Sequence, residues 1–325
     1  MSLSDTPREM RLDPEIKLFV DTVQAAYGQY PNFGDRPFPE MRAIAEIVRA
    51  PWREGGPVMV SIQDAQVPTS EGDVLVRIHN PSEGGPKPAL IYLHGGGWTF
   101  FSLNTHDRVM REYAGGADMV VVGVDYSLSP EVKFPVALNQ VVGVVEWLRE
   151  HGADYGIDVD QLAICGDSCG ANMSVSAALM LRDKGQGDAL KGMVLNYGFF
   201  DDDATRESYD LYGQDGEILS RAELQSFWVN YLADPADAAN PLVLPLHADL
   251  HDLPPALFAV PECDPLYDES VVMTDLLVKA GVPAEMITYK GATHSFLEAV
   301  SVAQVSRQAF ADASRWLNSV LKRQA

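Results

Sequence analysis

Leu162-Ala163-Ile164-Cys165-Gly166-Asp167-Ser168-Cys169-Gly170-Ala171 reads as the end of a buried strand, a tight turn and the first residues of a helix. The apolar run 162–165 is too short for a helix, and helical spacing begins only at Ala171. Between them, Gly166-Asp167-Ser168-Cys169-Gly170 fits G-x-S-x-G, in which a serine is held in strained backbone at a strand-to-helix turn. Small residues are needed on both sides of such a turn, because any Cβ there meets neighbouring backbone. The helix that follows brings partial positive charge to the place where an oxyanion forms. A five-residue pattern also recurs in ordinary turns, so its weight comes from the strand before it and the helix after it. Cys169 is a nucleophile by type, but the residue after the serine directs its side chain away from the reacting centre. It is read as a small packing residue whose backbone N–H matters.

Similar apolar runs, each followed by a helical segment, stand at residues 89–93, 119–124 and 193–195, and further ones at 256–260 and 285–289. Continuous rather than alternating hydrophobicity implies strands buried on both faces, hence a doubly wound, mostly parallel α/β sheet. Upstream, residues 58–67 and 74–78 alternate and read as a hairpin, with Ser70-Glu71-Gly72-Asp73 as its turn. The N-terminal stretch is helical: Ile16, Phe19, Val20, Val23 and Tyr27 recur at helical spacing after Asp13-Pro14, and a second helix is expected over 38–48. An amphipathic helix over about 302–321 closes the chain. One interval breaks the rhythm, a helical and aromatic insertion after Phe200 containing Phe227, Trp228 and Tyr231. The expected organisation is an N-terminal helical cap segment at 1–55, a core at 56–200 and 247–325, and a cap insertion at 201–246.

Composition narrows the function. With 46 acidic against 24 basic side chains the net charge is −22, which repels nucleic-acid backbones and anionic membranes. Cys165, Cys169 and Cys263 are too few, and odd in number, for a disulfide framework, which points to a reducing compartment. No leader pattern or run of about 18 apolar residues is found, so the expectation is a cytoplasmic protein with no membrane span. H-E-x-x-H and clustered His/Cys ligands are absent, and neither a P-loop nor G-x-G-x-x-G occurs; no metal or cofactor is expected.

A second glycine-rich element, His94-Gly95-Gly96-Gly97-Trp98, follows the apolar residues 90–93. Consecutive glycines let backbone N–H groups approach a tetrahedral oxyanion, with Gly95 and Gly96 as expected donors and Cys169 N–H completing the hole. Together HGGGW, the run Asp125-Tyr126-Ser127-Leu128-Ser129-Pro130-Glu131 with Phe134-Pro135, and GDSCGAN resemble the hormone-sensitive-lipase-like family of α/β-hydrolases. The likeness covers nearly the whole chain. It implies an α/β-hydrolase fold with a helical cap and a cofactor-free esterase that prefers short acyl chains. The chain departs from the family pattern in having Ser127 for Arg, Cys169 for Ala and Ala171 for Gly.

A hydroxyl at neutral pH needs a base to take its proton and an acid to orient that base, in the chain order Ser, Asp, His on this fold. The segment Glu262-Cys263-Asp264-Pro265-Leu266-Tyr267-Asp268-Glu269 matches the family's D-P-L-x-D-E, which assigns the orienting carboxylate to Asp264. Glu262 is its rival, and Asp268 is read as a cap for the next helix. His294, in Gly291-Ala292-Thr293-His294-Ser295-Phe296 after the last apolar run, stands where the base belongs. His79, His106, His151, His247 and His251 have no such position, and His94 is read as a brace for its loop.

Trp98, Phe199 and Trp228 are taken as candidate pocket residues from a wider aromatic set of Phe100, Phe101, Phe200 and Phe227, although packing of the cap is the blander role for each. The expected activity is hydrolysis of a small carboxylic ester through an acyl-enzyme. Alternatives are an amidase, lactonase or deacetylase with the same triad, or a non-catalytic small-molecule receptor on the same fold. A homodimer paired through the edge at 285–289 is a further expectation.

Overall fold

The computed structural model describes residues 11–214 and 218–321. Its eight strands are β1 (Ser61–Thr69), β2 (Gly72–Asn80), β3 (Lys87–Leu93), β4 (Val120–Val124), β5 (Ile157–Asp167), β6 (Met193–Asn196), β7 (Ala256–Cys263) and β8 (Ala284–Thr293). They form one sheet in the order β1-β2-β4-β3-β5-β6-β7-β8. Only β2 runs antiparallel to its neighbours. From β4 through β8 the neighbouring strands are parallel, and the central ones are continuously apolar, every residue of β3 and β4 being buried.

Alternation of side chains distributes these strands between two cores. Ala89, Ile91 and Leu93 of β3, with Val120, Val122 and Val124 of β4, face one core. This core is filled by α4 (Val136–His151), α5 (Cys169–Asp183) and α8 (Tyr267–Lys279). Leu90, Tyr92 and Val121 face the other, which is filled by α3 (Asp107–Ala117) and α9 (Gln304–Val320). The N-terminal helices α1 (Pro14–Tyr27) and α2 (Phe38–Arg49) bury Ile16, Phe19, Val20, Val23, Ile44 and Val48 in that second core. The insertion after β6 carries α6 (Glu207–Tyr212) and α7 (Arg221–Tyr231), and its Leu224, Trp228 and Tyr231 join the first core.

Helix starts follow local chemistry. Asp13 caps α1 by accepting from Glu15 N at 2.8 Å, and Pro14 opens it. Ser220 and Glu223 form a capping box at the head of α7. The hairpin begins later than its alternation predicts, because Val58 and Val60 lie outside β1 and are exposed. Its turn is shorter than predicted: Thr69 pairs directly with Gly72, whose φ of +100° only glycine accepts easily. The proposed segment boundaries at 1–55, 201–246 and 247–325 include residues 1–10, 215–217 and 322–325, which lie outside the described residues.

The carboxyl ends of β3, β5, β7 and β8 all reach the same edge of the sheet. They deliver respectively the His94 loop, Ser168, Asp264 and His294. α1 and the insertion both reach this edge, where they supply walls to one cavity.

Candidate active site

Ser168 occupies the turn between β5 and α5 with φ 56° and ψ −120°, outside the regions an L-residue prefers. The glycines explain why the turn closes. A Cβ on Gly166 would lie 2.2 Å from Gly170 C, and one on Gly170 would lie 2.0 Å from the Leu93 carbonyl oxygen. Ser168 N donates to Asn196 O at 2.9 Å, which ties the turn to β6. The N-terminal end of α5 stands directly behind the serine.

Asp264, fully buried, accepts from His294 Nδ1–H through Oδ2 at 2.9 Å and from Leu266 N through Oδ1 at 2.8 Å. That contact fixes the tautomer in which His294 Nε2 is the unprotonated nitrogen. The Tyr197 ring meets His294 edge-on, centroids 4.9 Å apart, and holds its plane. Ser168 and His294 line the same cavity of about 650 Å³. The rival Glu262 is occupied elsewhere, accepting from Gly291 N at 2.9 Å. Asp268 does not cap α8, whose N-cap is Leu266; its carboxylate accepts from Ser208 N and thereby secures the start of α6.

The glycine loop differs from expectation at one position. Gly95 N donates to Asp167 Oδ1 at 2.9 Å and is therefore not available to an oxyanion. A Cβ there would lie 2.3 Å from Asp167 Oδ2, so glycine at 95 serves close contact with the carboxylate. Gly96 and Gly97 instead line the cavity, with φ +110° and +59°. The N–H groups of Gly96 and Cys169 find no protein acceptor among the described residues. Cys169 behaves as a packing residue: it is buried, Trp98 N donates to its Sγ at 3.1 Å, and burial pushes the thiol up to about 12. It is a thiol, not a thiolate, at neutral pH.

Asp167, between Gly166 and Ser168, is the residue whose role the sequence did not disclose. Its carboxylate accepts from Tyr92 O–H at 2.6 Å and from Gly95 N, and stands 3.4 Å from His106 Nε2. Burial works against its charge, but His106 and the Tyr92 hydroxyl hold the carboxyl below the usual range. The same pairing outweighs burial at His106 and raises that imidazole. A charged residue inside an otherwise small, apolar motif was the available signal. His94 braces its loop as expected: Nδ1 donates to Gly95 O at 2.8 Å, the ring stacks on Tyr126 at 4.4 Å, and burial lowers its pKa to about 4. At Ser127, Gln140 fills the space, accepting from Ser127 N and donating to Ser127 Oγ, both at 2.8 Å.

The candidate pocket residues Trp98, Phe199 and Trp228 are not part of the cavity wall. Trp98 stacks on Tyr231 at 4.1 Å and meets Trp228 at 4.8 Å, and Phe199 meets Trp228 at 4.6 Å. Burial against one another fastens the insertion to the core, and the blander role is the observed one. The wall is instead built from Tyr27, Phe33, Phe100, Phe101 and Phe227, with Arg49 as a further lining residue.

The profile of a family described as "alpha/beta hydrolase fold" matches residues 90–298. The chain is 30% identical to a hyperthermophilic esterase from the archaeon Pyrobaculum calidifontis, covering 95% of this chain and 98% of that one, with a TM-score of 0.88. A thermostable carboxylesterase cloned from a metagenomic library is also 30% identical, over 89% of this chain and 99% of that one, with a TM-score of 0.85. A thermostable esterase from Pseudomonas putida is 27% identical over 97% and 99%, with a TM-score of 0.90. The chain belongs to the hormone-sensitive-lipase-like family of α/β-hydrolases.

Proposed function

We propose that Ser168, His294 and Asp264 hydrolyse small, short-acyl esters through an acyl-enzyme. The protein is a carboxylic ester hydrolase, on the strength of its family and its esterase neighbours. In the proposed mechanism His294 Nε2 takes the Ser168 proton as Oγ attacks the ester carbonyl carbon, and Asp264 steadies the imidazolium that forms. The N–H groups of Gly96 and Cys169, with Gly97 beside them, receive the tetrahedral oxyanion. The intermediate collapses when His294 returns the proton to the leaving alcohol. Water then attacks the acyl carbonyl with the same base, and the acid departs.

The observation that carries this reading is the strained Ser168 sharing one cavity wall with the Asp264-bound His294. Replacing Ser168 by Ala should remove turnover of p-nitrophenyl butyrate, leaving at most the residual catalysis of the oxyanion site; turnover near the parent rate would reject the assignment. A short acyl chain is part of the reading, supported by the aromatic rings of Phe100, Phe101 and Phe227 that line the cavity beside Ser168. The rate across p-nitrophenyl acetate, butyrate, octanoate and laurate should fall beyond the middle of the series.

No helix among the described residues is long and apolar enough to cross a membrane. The reading places the protein in the cytoplasm with no nucleic-acid partner, supported by three buried cysteines that form no disulfide among the described residues and by the charge of −22. Homodimerisation through β8 is part of the proposal, since that strand stands at the edge of the sheet.

A further inference from the structure

Arg49 is the last residue of α2, a place where a basic side chain usually turns to solvent and to the helix carboxyl end. Here it is only 4% exposed and lines the cavity that contains Ser168 and His294. The guanidinium lies 5.0 Å above the Phe101 ring and 5.8 Å from that of Phe19. Glu298, equally buried, stands 2.9 Å from its Nη1. Yet Nε and Nη1, buried atoms both, make no hydrogen bond, and neither does Glu298 Oε2. The ion pair is close but poorly aligned, and the phenol of Tyr27, another wall residue, is the guanidinium's remaining polar neighbour. A buried donor without an acceptor is costly, and a planar guanidinium suits a carboxylate.

No other Arg or Lys occurs in the described wall. The acidic wall residues have their own partners: Asp167 holds Gly95 and Tyr92, and Glu223 accepts from Ser220 N and Oγ at 2.8 and 2.7 Å. With a neutral short ester bound, the one fixed cation of the described wall therefore has only the poorly aligned Glu298 carboxylate as a charged partner.

We propose that the cavity selects esters bearing a carboxylate or similar anionic group, which Arg49 receives while Ser168 attacks the ester carbonyl. This rests on the Ser168 reading above and names the substrate class of that site. Arg49 acts in specificity and takes no part in bond making.

The test compares matched pairs of esters at constant ionic strength. Mono-p-nitrophenyl glutarate against p-nitrophenyl valerate places the charge on the acyl side; 4-butyryloxybenzoate against phenyl butyrate places it on the alcohol side. In the wild type, kcat/KM for the anionic member of at least one pair should equal or exceed that of the neutral one, and the productive pair identifies the side. In Arg49→Met that anionic-to-neutral ratio should fall about ten- to hundredfold, the span of a charge-assisted hydrogen bond, with Arg49→Lys recovering part of it. Glu298→Gln should move the ratio the other way, about threefold or more, because it frees the guanidinium from its competitor. A merely structural ion pair moves neither ratio.

Inhibition of the wild type by butyrate relative to the neutral butyramide needs no variant and should favour butyrate. Neutral esters preferred in both pairs, with ratios unchanged in the variants, would overturn the proposal and leave the esterase reading intact. No turnover of any ester would overturn both.

Discussion

Replacing Asp167 by Ala tests how the nucleophile turn and the glycine loop are held in register. In the wild type one buried carboxylate oxygen accepts from Tyr92 O–H at 2.6 Å and from Gly95 N at 2.9 Å. Alanine leaves both donors buried and unpaired, at about 1–3 kcal/mol each, so the protein should lose about 2–6 kcal/mol of stability. The loss also reaches catalysis, because Gly96 is placed by its neighbour Gly95. An oxyanion donor moved out of position costs roughly a hundred- to a thousandfold in kcat, and a partial displacement should cost at least about tenfold.

Asn at 167 keeps an acceptor for both donors and loses only the charge facing His106. Its effect should be smaller, about 1 kcal/mol and a few-fold in kcat. Urea unfolding followed by tryptophan fluorescence and steady-state kinetics with p-nitrophenyl butyrate measure both quantities. The reasoning fails if the Ala variant is as stable and as fast as the parent, or if its whole defect lies in KM.

Gly170→Ala sets a Cβ 2.0 Å from Leu93 O, a backbone atom with no freedom to yield, so unfolding experiments should show about 3 kcal/mol or more of lost stability. Phe227 packs on Gly97 in the cavity wall, and Phe227→Ala should raise the octanoate-to-butyrate ratio of kcat/KM about threefold or more; an unchanged ratio would place the acyl chain elsewhere. Glu269 is buried and pushed up to about 8, with burial the largest cause, although Phe200 N, Asp201 N and Tyr209 O–H all donate to it. Between its unfolded value near 4.5 and about 8 the folded protein binds the extra proton, so stability should fall as pH rises through that window. Thermal unfolding at pH 5, 7 and 9 should show this fall in the wild type and a flatter response in Glu269→Gln.

The central strands were legible because both their faces are buried: 89–93 and 119–124 are continuous apolar runs, and the observed β3 and β4 contain or nearly coincide with them. Ser168 was legible because its turn must be made of small residues whatever surrounds it. Loop orientation was not. Gly95 and Gly96 are equivalent as letters, and only Asp167, 72 positions away, distinguishes them by taking the Gly95 N–H.

Aromatic residues failed for a related reason. Trp98 and Phe100 are two positions apart in one loop, yet the first enters the insertion's core and the second faces the cavity. Arg49 left even less trace: a helix-ending arginine is ordinary until the fold turns it inward against Glu298. Glu269 draws its partners from residues about 60 positions upstream, beyond any local pattern.

Covalent labelling with a fluorophosphonate, located by peptide mass mapping, tests the nucleophile most directly. A single adduct on Ser168, forming in step with the loss of esterase activity and absent from the Ser168→Ala variant, is the predicted result. An adduct on any other residue that accounts for the lost activity would contradict the account.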